Sequence, residues 1–252
     1  MLSRTDIALQ IVLISHRLYE KGFVTATDGN VSARLPNGNI LITPSALNKG
    51  HVSERDLVEV SPEGSPVTLS RKPSSELGMH LFIYRQRQDV KAIVHAHPTT
   101  ATAFAAARLP FPDRLLPEVI VGIGTVPLAV YATPSTTEVA ESLAPHVMKS
   151  SVILLSNHGV VAYGSDLDDA YFKLEKTEHA AQITLIARLL GGEVPLSDGE
   201  LGRLKAVSAG HYGNTIASGS SPGPGEQALP DERAIKQMIR EVLGQSATTK
   251  GS

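Results

Sequence analysis

Cysteine is absent from this chain of 252 residues. That excludes a disulfide framework and a thiolate metal site, so any transition metal must be held by His, Asp, Glu or water. Tryptophan is absent too, and aromatic residues make up only 4%. Such a surface is poorly equipped to bind by stacking rings on sugars or bases. No sign of charge dominates: 23 Lys and Arg face 25 Asp and Glu, with no block of like charges. This argues against a nucleic-acid face or a polybasic membrane patch. No run is long and apolar enough to span a bilayer. The opening MLSRTDIALQ lacks the unbroken apolar stretch of a signal peptide, so a cytoplasmic protein is expected. The chain does have a 42% hydrophobic share, enough for one large domain or two small ones.

Helices and strands alternate along it. Residues 3–21 read as a helix with Ile7, Ile11, Ile14 and Leu18 on one face, closed by Gly22. The following segment alternates short β-prone runs around Pro36-Asn37-Gly38, a hairpin pattern. Pro73-Ser74-Ser75-Glu76 opens a second helix, with Leu77, Leu81 and Tyr84 inward. VKAIVHAH at 90–97 reads as a buried strand stopped by Pro98, and 99–107 as an Ala-rich helix. SVILLS and VVAYG are strands flanking Asn157-His158-Gly159. Asp166 caps a long helix over about 167–190, ended by Gly191-Gly192. The class is α/β or α+β.

The strongest local signal is His95-Ala96-His97. Side chains two apart on a strand share a face, so each imidazole can give one nitrogen to a common ion. The blander reading is two structural histidines, since so short a motif recurs by chance. His158, in a loop between apolar strands, is poorly placed for packing, although Asn and Gly also suit an ordinary turn histidine. Three histidines would leave a coordination position open, as catalytic zinc sites do. Glu76 stands at a helix start, where an acid favours the dipole and Ser-x-x-Glu caps are common. With Ser74 and Ser75 beside it, the same helix start can hold an anion. Gly29-Asn30 and Thr43-Pro44-Ser45 add small donors in loops. His179 and His211 fit no pattern and default to the surface.

Taken together, DGNVSAR, LITPSAL, KPSSELGMHLFIY, VKAIVHAHPTTATAFAAA, VYATPSTTE and LLSNHGVVAYG resemble the class II aldolase/adducin family, most closely its fuculose-1-phosphate aldolase type. The segments span roughly residues 5–190. The resemblance implies a three-layer α/β/α fold with a central, largely antiparallel sheet, and a fourfold homotetramer with sites between subunits. It implies that His95, His97 and His158 are zinc ligands, with Glu76 a fourth ligand and the acid/base. It assigns a substrate phosphate to Gly29, Asn30, Ser45, Ala46, Ser74 and Ser75. The implied reaction splits a ketose 1-phosphate into dihydroxyacetone phosphate and an aldehyde such as lactaldehyde. Glu76 separates this reading from the related ribulose-phosphate 4-epimerases, which carry Asp there.

The chain departs from the family pattern at two places. Family aldolases often place a proton-donating Tyr before the Tyr-Ala-Thr segment; here that position is Leu116, leaving Glu118, Tyr131 and Tyr212 as candidates. The usual Thr-Gly of the phosphate loop is Ser45-Ala46. Two other readings compete: a metal-dependent decarboxylase on the same scaffold, and a non-catalytic adducin-like binding module. An intact HxH, NHG and Glu76 set argues against the module.

The catalytic domain is expected over 1–215. A Ser/Gly/Pro-rich linker (216–230), a short amphipathic helix (231–244) and a disordered tail (245–252) follow it. That helix either packs on the enzyme or docks to a partner. Linker plus helix resembles the encapsulation peptides that bind bacterial microcompartment shell proteins.

Overall fold

The structure is a computed structural model that describes residues 2–68 and 71–211. Tyr212, the expected linker, the 231–244 helix and the tail lie outside the described residues. Its strands are β1 (Asn30–Arg34), β2 (Ile40–Ile42), β3 (Val58–Val60), β4 (Ala92–Ala96), β5 (Leu128–Ala129), β6 (Val152–Leu155) and β7 (Gly159–Gly164). Its helices are α1 (Arg4–Glu20), α2 (Leu77–Gln86), α3 (Thr99–Ala106), α4 (Pro117–Gly122), α5 (Glu138–Leu143), α6 (Leu167–Leu189) and α7 (Asp198–His211). The sheet runs β3-β2-β1-β4-β7-β6-β5 and is antiparallel except for the β5–β6 pair. No helix among the described residues is long and apolar enough to cross a membrane.

Period-two alternation splits the sheet between two cores. Ala92, Val94 and Ala96 of β4 join Ile7, Ile11, Leu18, Phe104 and Leu174, the faces of α1, α3 and α6. Ile93 points the other way, with Ile83 and Tyr84 of α2 and Leu143 of α5. The result is the three-layer α/β/α arrangement. His95 and His97 follow Ile93 by two and four residues, which carries them to the α2 side.

One match of repeats positions the site. Asn30, Ser32 and Arg34 share the face of β1 opposite Val31 and Ala33, spaced by about 6.6 Å per two residues. Glu76, His80 and Tyr84 share one face of α2, spaced by about 6 Å per four residues. The two rows mesh. Asn30 bonds Glu76 and His80, Ser32 bonds His80 and Tyr84, and the Arg34 guanidinium donates to the Tyr84 carbonyl.

The sequence-based boundaries hold to within two residues for α1, α3, β4 and α6. Glu76 is the N-cap residue of α2, not a member of its first turn, and its side chain makes no capping bond. The short β3, β5, α4 and α5 and the terminal α7 carry too little periodicity to stand out from the sequence.

Candidate active site

The three histidines meet. Their ring centroids lie 4.8–5.0 Å apart, and one nitrogen from each falls within a 4.8 Å span. His95 extends from inside β4, His97 just past its end, and His158 from the β6–β7 turn. That turn is shaped by its neighbours. Asn157 takes a left-handed φ of 56°, which Asn tolerates better than most residues. A Cβ on Gly159 would lie 2.5 Å from the His97 ring and 2.6 Å from the Ala96 carbonyl, so only glycine leaves room for the histidine.

Glu76 completes the cluster. Its Oε2 is 3.1 Å from His95 Nε2, and its Oε1 is 3.3 Å from His158 Nε2. Asn30 donates to Oε2 at 2.9 Å, whereas Oε1 is buried without a hydrogen-bond partner. The polarity around His95 identifies what the cluster suits. The Val160 carbonyl can only accept, so His95 Nδ1 donates to it at 2.9 Å and a neutral ring leaves Nε2 bare. That bare nitrogen faces Glu76 and, at 3.1 Å, His97 Nε2. Lone pairs converging with an orphaned carboxylate oxygen fit a cation, and N/O donors of this kind suit zinc and similar divalent ions. The Val160 carbonyl would fix the tautomer of His95, as outer partners of metal-bound histidines do.

The electrostatics of His97 and His158 agree. Burial, then the neighbouring His95 and His158, push the His97 imidazole down to about 3. Burial and His95 push His158 down to about 4. Both rings therefore keep their lone pairs at ordinary pH, the form a metal requires. Burial opposes charge on Glu76, but His95, His158 and the Asn30 amide outweigh it and hold its carboxyl well below the usual range. Burial likewise opposes charge on His95, but the Glu76 carboxylate overcomes it and raises that imidazole above its ordinary value, so His95 is the ring whose proton a bound ion would have to displace.

A cleft of about 300 Å³ opens beside the cluster. It is lined by Gly29, Asn30, Ser45, Ala46, Ser74, Ser75, Glu76, His97 and His158, so the residues expected to hold a phosphate and three of the four expected as metal ligands share one space. Two loops form the side of it away from the histidines. The Ser74 N–H donates to the Thr43 carbonyl and the Ser45 N–H to the Lys72 carbonyl, which zips the 43–46 loop to the start of α2. Gly29 has a φ of 68°, and a Cβ there would come within 2.8 Å of the His95 carbonyl. Asn30 is 2% exposed with its side chain turned to Glu76 and His80, so of that side chain only the second amide hydrogen remains for a ligand.

Glu118 and Tyr131 are solvent-exposed and are not among the residues lining the cleft. His179 is exposed, as expected of a surface histidine.

Three residues escaped the sequence reading. Asp28 lines the cleft with its carboxylate 4.0 Å from His97 Nδ1. Lys49 is 1% exposed and donates to the Thr27 and Leu47 carbonyls, tying the segment before Gly29 to the one after Ala46. Burial pushes its ammonium down to about 8, against the pull of Asp28 and Glu76. His80 is fully buried between β1 and α2. Asp28 was visible as the acid before Gly29-Asn30; the other two carry no local signal.

Known proteins place this arrangement. The family profile described as Class II Aldolase and Adducin N-terminal domain matches residues 9–185. The chain is 37% identical over 180 residues to a protein of Methanococcus maripaludis named L-fuculose phosphate aldolase, covering 71% of this chain and 96% of that one. It is 31% identical over 204 residues to the 3-oxo-tetronate 4-phosphate decarboxylase of Escherichia coli K12, covering 78% and 94%. The crystal structure of YgbL from Klebsiella pneumoniae superimposes with a TM-score of 0.76 at 29% identity, over 81% of this chain and all of that one. The chain therefore belongs to the class II aldolase and adducin family, as one of its metal-dependent enzymes.

Proposed function

We propose that the protein is a zinc-dependent aldolase that reversibly cleaves a ketose 1-phosphate, of the L-fuculose 1-phosphate kind, into dihydroxyacetone phosphate and an aldehyde such as lactaldehyde. One observation carries this reading. A carboxylate with a hydrogen-bond-free oxygen stands between three imidazoles and a cleft edged by Ser45, Ser74 and Ser75. His95, His97, His158 and Glu76 would hold the ion. A bound divalent ion supplies Lewis acidity at the carbonyl beside the breaking bond.

The chain's own groups do the rest. Ser45, Ser74, Ser75 and the backbone around Gly29 and Ala46 bind the phosphate through hydroxyl and N–H donors. Glu76, steadied by Asn30, returns a proton to the carbon freed by cleavage, and takes it away in the reverse direction. The aldehyde-side hydroxyl needs a separate base. Glu118, Tyr131 and Tyr212 remain its candidates, each reaching the site only from a neighbouring subunit or from outside the described residues. That suits the fourfold homotetramer. Exposed Leu9 and Leu13 on α1, and Phe172, Leu185 and Leu189 on α6, give apolar surface for such contacts. Docking to a microcompartment shell rests on the 231–244 sequence pattern alone.

A second reading, a decarboxylase of a phosphorylated sugar acid, is favoured by the comparable match to the 3-oxo-tetronate 4-phosphate enzyme. Neither Glu118 nor Tyr131 lines the cleft, and decarboxylation needs no aldehyde-side base. The test is a panel of ketose 1-phosphates and phosphorylated 3-oxo acids, assayed for dihydroxyacetone phosphate and for carbon dioxide. Carbon dioxide without dihydroxyacetone phosphate overturns the aldolase reading. Elemental analysis should find about one divalent ion per chain. His158→Ala should lose both ion and turnover, and a fully metallated, active variant overturns the ligand set.

A further inference from the structure

His80 does not line the cleft and is fully buried, yet both its ring nitrogens are committed to a single row of hydrogen bonds that ends on Glu76. Hydrogen-bond chemistry fixes the direction of that row. The Glu76 carboxylate only accepts, so Asn30 must offer it Nδ2, at 2.9 Å. The Asn30 Oδ1 then faces His80, and as an acceptor it requires the proton on His80 Nε2. His80 Nδ1 is left bare and accepts from the Ser32 hydroxyl at 2.6 Å. Ser32 has spent its only hydrogen, so it accepts from the Tyr84 hydroxyl at 2.9 Å. Every donor from Tyr84 to Asn30 points toward Glu76, and bonds aligned in this way strengthen one another in a buried setting.

We propose that His80 is a positioning residue that locks the Asn30 amide, and through it the Glu76 carboxylate, in the orientation that leaves Oε1 free at the cleft. The proposal rests on the reading of Glu76 as the acid/base. If His80 could not donate, the Asn30 amide would be free to turn its oxygen toward Glu76 and repel the carboxylate it now holds. Burial pushes the His80 imidazole down to about 3, so the ring keeps one proton through the neutral range. Structural filling alone does not need this polarity. An apolar side chain would fill the same space without stranding polar atoms of its own.

The experiment is a set of kinetic variants with one readout independent of activity. His80→Phe should keep tetramer and metal content but lose about 10- to 100-fold in kcat, the usual cost of an outer partner, with KM changed less than about threefold. His80→Gln carries an amide N–H near the position of Nε2 and should recover most of the loss. In a double-mutant cycle, Asn30→Ala with His80→Phe should be no slower than Asn30→Ala alone, because His80 acts only through Asn30. In the unsubstituted enzyme, nitrogen NMR should find the His80 ring protonated on Nε2 and bare on Nδ1. Full kcat in His80→Phe, additive losses in the cycle, or a proton on Nδ1 each overturn the proposal. Glu76→Gln run alongside separates the two levels. An active Glu76→Gln sinks the acid/base reading, whereas an inactive one beside a fully active His80→Phe sinks only the role of His80. If His80→Phe fails to fold, the cycle is run with His80→Leu, which also cannot donate, and the tautomer measurement stands on its own.

Discussion

Glu76 and Glu178 are two largely buried carboxylates, each set at the start of a helix, and they are treated in opposite ways. Glu178, 2% exposed on α6, reaches the N-terminus of α3 and accepts from the Thr100 and Ala101 N–H groups at 3.0 and 2.7 Å. Gln182 supplies a third donor at 2.8 Å. Both its oxygens are satisfied and nothing is left over for chemistry. Glu76 is the N-cap residue of α2 but declines to cap it. One oxygen is held by Asn30, and the other is buried without a partner beside three imidazoles. Backbone strain is concentrated on the same side without being confined to it. Among the described residues, non-glycine residues with positive φ are Ala46 and Ser135, which line the cleft, Ala26 beside Thr27, Asn157 beside His158, and Arg108 just after α3. The carboxylate that caps a helix has both oxygens satisfied, whereas the one at the cleft keeps an oxygen without a partner beside strained backbone, the pattern of a group kept for reaction.

The largest expected effect is at Glu76. Glu76→Gln should fold with a melting temperature near that of the unsubstituted protein and lose about a thousandfold or more in kcat, since the amide cannot carry the proton. Retained turnover would reduce Glu76 to a second Glu178. The reverse pattern is expected of Glu178→Ala. Two N–H groups at the start of α3 lose their acceptor, a cost of about 3 kcal/mol, while kcat per folded, metallated chain stays within about twofold. Urea unfolding and assays on the same samples read both quantities. If Glu178→Ala abolishes turnover without loss of stability, the division between the two regions is wrong.

Much of the active end could be read along the chain because its signals are local. His95 and His97 announce themselves by strand alternation, His158 by its Asn-Gly turn, and Glu76 by the serines before it. His80 and Glu178 are different. The partners of His80 lie 48 and 50 residues away on β1, and those of Glu178 lie 77 and 78 residues away on α3. Each reads in isolation as an ordinary helix residue, because its role exists only once two elements pack. The meshing of β1 with α2 was hidden for the same reason. The repeat of Asn30, Ser32 and Arg34 matches that of Glu76, His80 and Tyr84 only after the sheet has brought them face to face. The Asn30 side chain, expected to bind phosphate, is mostly spent inside that mesh.

A smaller effect sharpens what the cleft beside Glu76 is for. Ser75 is exposed at the start of α2, and Ser74 Oγ already accepts from the Glu76 N–H at 3.2 Å. Ser75 is therefore the freer hydroxyl. Ser75→Ala should raise KM about tenfold for a phosphorylated ketose, the worth of one charge-assisted hydrogen bond of roughly 1.5 kcal/mol. KM for the unphosphorylated sugar should hardly move. Equal changes on both substrates would remove the phosphate from this side of the cleft.

The smallest expected effect tests where strain is stored, by making one chemical change in both regions. Ala46 holds a φ of 56°, a left-handed conformation that costs an L-residue roughly 1–2 kcal/mol and glycine almost nothing. Glycine returns part of that gain by loosening the unfolded chain. Ala46→Gly should therefore stabilise the protein by about 0.5–1 kcal/mol, raising its melting temperature by about 2 °C for a domain of this size. Ala103 is an exposed residue inside α3, where the backbone is regular. Ala103→Gly should cost about 1 kcal/mol, the ordinary helix penalty. Opposite signs for the same substitution would place the strain at the cleft and not at the capped helix. If both variants are destabilised equally, Ala46 sits in its turn without strain, and the contrast between the two regions reduces to their carboxylates.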